Sequence, residues 1–251
     1  MERWTLRFAA PKSPPTPQWG SLMHGMLMEK LPAPWQEALH TESARPFAQW
    51  LEVTREGTLL WHVSALSDEL AEVFRPLLTE GSAWTCRKLN ETLTVEAVTH
   101  EVTPLQAFTR DFFLKEASCE RLRITFCTAT THHVAGSHAL YPTVELIARS
   151  IQQRLCTVQP DSVLADDEVV GQIIERTRIV RYKLQSASYA LEGTRLYGYT
   201  GYVELHVKGP DPLLRLAELL FSFAPWCGVG VKAALGMGGC RVSPVERKGA
   251  E

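Results

Sequence analysis

Between Gly228 and Gly239 the chain reads GVGVKAALGMGG, five glycines and one lysine. Glycines let backbone N–H groups come close to an anion, and a lysine adds charge. The two familiar nucleotide loops are excluded by spacing. A Walker loop places its lysine after the closing glycine and follows it with a hydroxyl residue, whereas Lys232 lies between Gly230 and Gly236 and is followed by alanines. A dinucleotide fingerprint opens a βαβ unit, which residues 240–251 do not supply. The expectation is an anion-facing loop built from Gly228, Gly230, Lys232, Gly236 and Gly238. A second cationic feature is RTRIVRYKLQ, where Arg176, Arg178, Arg181 and Lys183 stand together with no acidic residue among them. Arg181 and Lys183 are expected to face opposite sides of their strand, so that only one of them serves a binding surface, and Arg176 and Arg178 to share the parity of neither. Cys127, His132, His133 and His138 fall in one short segment. Only His133 and His138 fit a zinc-type spacing, H-x₃₋₅-H, and a structural site wants four such punctuated ligands, so no metal is expected, and nothing in the sequence calls for a cofactor. His62, His100 and His206 lie in strands, where a hydrogen-bonded structural histidine is the default. Tyr197, Tyr199 and Tyr202 are placed either to stack on unpaired bases or to pack a core.

The chain has 251 residues, 45% hydrophobic and 22% charged, with a net charge of −2. Such a length supports one large core or two small ones. A weakly negative chain is a poor indiscriminate nucleic-acid binder, so any such surface must be a local stripe. The six cysteines form no C-x-x-C pair and are expected to be reduced thiols of a cytoplasmic protein. With no leader-like start and no apolar run near 18 residues, neither export nor membrane insertion is expected.

These residues need elements to hold them. WTLRFAA alternates as a strand, and the prolines after it hand over to a helix from about Gln18 to Lys30. FAQWLEVT and TLLWHVSAL form a hairpin, LSDELAEVFRPLLTE a helix, and LNETLTVEAVTHEV a strand. After a helical stretch near 105–115 the order restarts: RLRITFCTAT, TVELIARSIQQRL, a long hairpin over 178–208, LLRLAELLFSFA and CRVSPV, with a helical insertion near 166–175. The fold class expected is α+β, as two tandem ferredoxin-like (βαββαβ) domains, residues 1–117 and 118–251. The glycine loop then joins the last helix to the last strand of the second unit, facing a groove.

In this setting CGVGVKAALGMGGCRV is similar to the signature loop of the CRISPR-associated endoribonucleases of the RAMP superfamily that process precursor CRISPR RNA. YKLQSASYALEGTRLYGYTGYVELHVKGP resembles the hairpin that precedes it in that family, SLMHGMLMEKL its first helix, EALHTESARPFAQW the helix end and strand that follow, and FCTATTHHVAGSHALYP a Thr/Ser-rich, RNA-facing segment. The resemblance implies metal-free scission, in which a ribose 2′-OH attacks the adjacent phosphate. Such a reaction needs a base, an acid and cationic help for the phosphorane. His40 matches the family's catalytic histidine and Arg45 a basic residue suited to phosphate oxygens. Where some members carry a tyrosine on the first helix this chain has Met28, which holds no transferable proton. His24, one turn earlier on that face at the rim of the apolar stripe, is expected to replace it. The implied RNA contacts are the loop residues above, Arg178, Arg181, Lys183, His132 and His133. The implied partner is CRISPR repeat RNA, with other CRISPR effector subunits as further possible partners. Two alternatives stand beside this reading: a non-cleaving RNA-binding subunit of a CRISPR effector complex, and a ferredoxin-like small-molecule protein with an anion site. Retention of His40 with Arg45 favours the endoribonuclease.

Overall fold

The structure, a computed structural model, describes residues 1–41, 45–115, 118–191 and 193–245, with the side chains of His40 and Thr41 outside that description. In chain order its first half runs β1 (Glu2–Phe8), α1 (Gly20–Lys30), α2 (Ala33–Thr41), β2 (Phe47–Val53), β3 (Leu59–Ala65), α3 (Asp68–Phe74), β4 (Ala83–Cys86), β5 (Glu91–Val102) and α4 (Leu105–Leu114). The second half runs β6 (Arg121–Thr130), β7 (His133–Val134), β8 (Ser137–His138), α5 (Val144–Val158), α6 (Asp167–Arg176), β9 (Thr177–Leu191), β10 (Thr194–Val207), α7 (Asp211–Ser222), α8 (Ala224–Cys227) and β11 (Cys240–Pro244).

Two antiparallel sheets result, ordered β2-β3-β1-β5-β4 and β11-β6-β10-β9. With the extra edge strand β4 set aside, each has the strand order of a ferredoxin-like βαββαβ unit, and the tandem fold agrees with the sequence expectation. The β4 strand and the short β7–β8 hairpin were not expected; at four and two residues they are too short to carry a periodic signal. Alternation along β1 buries Trp4, Leu6 and Phe8 on one face, where they pack with Met23 and Leu27 of α1, Phe47 and Leu51 of β2, and Phe74 of α3. Ser67 caps α3, its hydroxyl accepting from the Leu70 N–H at 3.3 Å, and Thr143 caps α5 in the same way at 3.1 Å, each supplying one of the acceptors a helix start lacks. A second core joins Leu122, Ile124 and Phe126 of β6 to Ile147 and Ile151 of α5, Leu220 of α7 and Val203 of β10.

The other faces of the two sheets look toward each other. Arg241 on β11 forms an ion pair with Glu52 on β2 and lies over the Trp50 ring, while Arg3 on β1 lies over Trp226 of α8 at 4.3 Å. Between them is a cleft of about 390 Å³ lined by Arg3, Thr5, Trp50, His62, Glu101 and Arg241 among others. No helix among the described residues is long and apolar enough to cross a membrane.

Candidate nucleic-acid interface and active site

The glycine loop is a packed joint between the two units. All its glycines are buried, and Lys232 alone of the chemistry-bearing residues is exposed. A Cβ on Gly236 would sit 2.5 Å from the Tyr189 hydroxyl and 2.8 Å from the Gly20 Cα, one on Gly230 2.2 Å from the Thr131 carbonyl, and one on Gly239 2.3 Å from the Trp50 ring. Their N–H groups are engaged inside the protein: Gly228 donates to Ala224 O, Gly236 to Ala233 O and Gly238 to Ala129 O. Gly230 donates to Ser150 Oγ and Gly239 to Thr128 Oγ1. The expectation that Gly228, Gly230, Gly236 and Gly238 contact an anion through the backbone is therefore corrected. In this arrangement they allow close approach of protein to protein. What the loop presents outward is Lys232, held in the left-handed region at φ +59°, a conformation that is unfavourable for a residue with a Cβ. Its carbonyl accepts from Leu235 and Met237, which fixes the turn.

Four side chains that sequence reasoning missed hold this joint. Gln49, on the core face of β2 and 1% exposed, donates from Nε2 to Gly20 O at 2.8 Å and to Ala234 O at 3.1 Å, and accepts from Trp61 Nε1 at 2.8 Å. Tyr189 of β9 donates its hydroxyl to Leu235 O at 2.7 Å, and burial pushes its phenol well above the usual tyrosine value. From α5, Ser150 accepts from Gly230 N and Arg154 donates to Gly230 O at 2.9 Å. A signal for Gln49 was present, since it shares strand parity with Phe47 and Leu51 and is a polar residue on an apolar face. The other three carried none.

The joint fixes the start of α1, and α1 carries His24. The His24 ring is 9% exposed and stacks on Phe47 with centroids 6.0 Å apart, more enclosed than the rim position expected of it, because Phe47 of the neighbouring strand covers its flank. Arg45 Nη1 lies 3.5 Å from His24 Nε2, at the outer limit of a hydrogen bond; a guanidinium only donates, so that nitrogen is the acceptor. Arg45 Nε donates to Leu39 O at 2.7 Å, one of the last carbonyls of α2. Burial lowers the Arg45 pKa from its ordinary value, and a guanidinium remains charged nonetheless. His24 and Arg45 are thus brought together, and Arg45 is tied to the turn that precedes His40. His40 lies in the last turn of α2; its side chain is outside the described residues. Met28 is half-buried and packs against the first core.

The basic strand β9 departs from simple alternation. Glu204 pairs with Arg181 and Leu205 with Ile179, so Val180 is an extra residue, a bulge. Arg178, Arg181 and Lys183 therefore stand opposite His206, Glu204 and Tyr202, three residues of one face. The expected split of these three is corrected: Arg181 and Lys183, two positions apart, share a face, and the bulge brings Arg178 to the same side. All three are exposed, and the facing acid, Glu204, is neutralised by Arg123 at 2.6 Å. Arg176 closes α6 and stands outside this row.

His132 and His133 part company. His133 is exposed on β7, but His132 is 4% exposed, its Nε2 lies 3.0 Å from the Tyr199 hydroxyl, and burial lowers its pKa to about 4. A side chain so enclosed has no face for RNA, and the expectation for His132 is corrected. His133 and His138 meet edge to face at 5.5 Å, and no group of three metal-ligating side chains converges among the described residues. His62 is structural as expected, with Thr5 Oγ1 at 3.0 Å, Glu52 at 3.1 Å and Trp50 stacked at 4.0 Å. Tyr199 is core, whereas Tyr197 is 57% exposed.

Comparison with known proteins follows this geometry. The profile of the CRISPR-associated endoribonuclease Cas6 family matches residues 124–240. A CRISPR-associated endoribonuclease Cas6 of Mycobacterium tuberculosis is 27% identical over 90% of this chain and 72% of its own length, and one of Streptococcus thermophilus is 28% identical over 90% of each. Among solved structures, a Cas6 product complex superposes with a TM-score of 0.77 at 24% identity, covering 97% of this chain and 100% of its own. Thermus thermophilus Cas6 superposes with a TM-score of 0.70 at 17% identity, covering 97% and 98%.

Proposed function

We propose, from the premise that the chain belongs to the CRISPR-associated Cas6 endoribonuclease family, that it cleaves CRISPR repeat RNA within precursor transcripts, in the cytoplasm. The relatives named above are endoribonucleases, which favours cleavage over the non-cleaving subunit. The mechanism proposed is metal-independent. A ribose 2′-OH attacks the neighbouring phosphate, His40 and His24 carry the proton transfers as base and acid in either order, and Arg45 stabilises the phosphorane. The observation that carries this reading is the Arg45 bridge, 3.5 Å to His24 and 2.7 Å to the Leu39 carbonyl, which gathers residues from α1, α2 and the approach to β2 at one corner. Arg178, Arg181 and Lys183, with Lys232 at the joint and His133 beyond it, supply the cationic and polar contacts to RNA. The units meet at residues 117 and 118 in this proposal, His40 on the first and the glycine loop on the second. The test is a repeat RNA with one 2′-deoxy nucleotide immediately upstream of the cut. It is expected to bind nearly normally and remain intact, and excess EDTA is expected to leave cleavage of unmodified RNA unchanged. Cutting of the deoxy RNA, or loss of cutting in EDTA, refutes the mechanism, because a metal-assisted nuclease draws its nucleophile from water on the ion.

A further inference from the structure

Helix α1 contains two glycines, and packing explains one of them. A Cβ at Gly20 would sit 2.4 Å from the Tyr189 hydroxyl and 2.9 Å from the Gly236 Cα, so no larger residue fits. Gly25 is different: a Cβ there would meet nothing within 4 Å. Even Gly171 in α6 has the Arg149 guanidinium 3.9 Å from that point. An exposed glycine inside a helix costs about 1 kcal/mol relative to alanine, and no neighbour in the protein requires this one. Gly25 opens instead on a groove of about 250 Å³ between α1 and the β4 edge, lined by Ser21, Leu22, Gly25, Met26 and Glu29 on one side and Thr85, Cys86, Arg87 and Lys88 on the other.

We infer that this groove receives one unpaired nucleobase of the RNA substrate, and that Gly25 keeps it open. The inference rests on the endoribonuclease reading above. Size favours a single base, since the volume lies below the roughly 300 Å³ at which drug-sized pockets begin. The lining has the two parts base recognition needs: apolar Leu22 and Met26 to lie against a ring, and the hydroxyls of Ser21 and Thr85 with the Glu29 carboxylate to meet its edge. Arg87 and Lys88 place cationic charge where the attached phosphates run. Glu29 holds Arg87 in an exposed pair at 3.6 Å, and an entering phosphate takes over that arginine while leaving the carboxylate to accept from a base amino group.

The experiment uses the full chain with Gly25→Leu and Gly25→Ala, and repeat RNAs carrying a single abasic nucleotide at each position of the repeat in turn. Both substitutions favour helix, so both variants should melt no lower than the parent protein. Gly25→Leu is expected to weaken RNA binding on the order of 10-fold, the worth of burying one ring face against Leu22 and Met26, and Gly25→Ala less. One abasic position should weaken binding to the parent protein by a similar factor, and that same position should have no further effect in Gly25→Leu. Binding by Gly25→Leu within twofold of the parent overturns the inference, as do losses that multiply when variant and abasic RNA are combined. Failure of the parent protein to bind or cut any repeat RNA instead overturns the endoribonuclease reading beneath it.

Discussion

Gln49→Leu removes the buried amide that links α1, β2 and the glycine loop. The substitution keeps approximate size and leaves three groups without their partner: the Gly20 and Ala234 carbonyls and the Trp61 indole N–H. An intramolecular hydrogen bond contributes on the order of 1 kcal/mol net, and a buried polar group left unsatisfied costs about 1–3 kcal/mol. At 1% exposure for Gln49, water cannot replace the amide without opening the joint. Three such losses, partly relaxed, predict destabilisation of about 3–5 kcal/mol, measured by equilibrium denaturant unfolding. Because the joint sets the start of α1 relative to the loop bearing Lys232, cleavage should also slow under conditions where the variant remains folded. Pairing the change with Trp61→Phe separates the contributions. If the Oε1 to Nε1 bond is real, the double variant should lose about 1 kcal/mol less than the sum of the singles. A loss below about 1 kcal/mol for Gln49→Leu would show that the amide is not the buried bridge described.

Lys232→Gly should stabilise the fold by about 1 kcal/mol, because the left-handed conformation suits glycine, yet weaken RNA binding and lower the salt slope by about 0.7 to 1; an unchanged slope places Lys232 outside the interface. Single charge reversals at Arg178, Arg181 and Lys183 should lower RNA affinity together, since the Val180 bulge sets them on one face, and affinity unchanged at Arg178 alone would restore simple alternation. Stability should fall on acidification. His132 has a folded pKa of about 4 against an ordinary 6.5, so the unfolded chain takes up its proton first, and stability that is full above pH 6.5 should drop by about 3 kcal/mol as pH falls to 4. Glu52, lowered to about 2 by His62 and then Arg241, adds a loss in the same direction below its ordinary 4.5. A flat stability profile between pH 7 and 4 contradicts the burial of His132.

The order of elements was legible because each long strand and helix carries its own period, and the same periods made the repeated βαββαβ order readable. What escaped was set by contacts between distant segments. The β9 bulge depends on how Ile179 and Arg181 register against β10, and a single strand's parity cannot report it. His132 sits between exposed-looking neighbours in THHVAGSH, and its burial depends on Tyr199, 67 residues away. His24 was assigned to a helix face correctly, but its enclosure comes from Phe47, beyond the reach of a helical wheel. Gln49 was the exception, a polar residue at a core-parity position whose meaning could have been drawn from β2 alone.

The glycine loop shows why composition and chemistry separate. Close approach of backbone to an anion and close approach of backbone to backbone both require a missing Cβ, so the sequence supports either. The structure distinguishes them by where the N–H groups point, and those of Gly228, Gly230, Gly236, Gly238 and Gly239 point into the protein. The physical consequence is a division of labour within one turn. The glycines, Gln49 and Tyr189 bring the second unit against the first turn of α1, and that contact leaves Lys232 as the residue facing outward. At Gly25 the same missing Cβ has no protein neighbour within 4 Å, and the helix that packs Gly20 tightly against the loop holds open space on its β4 side.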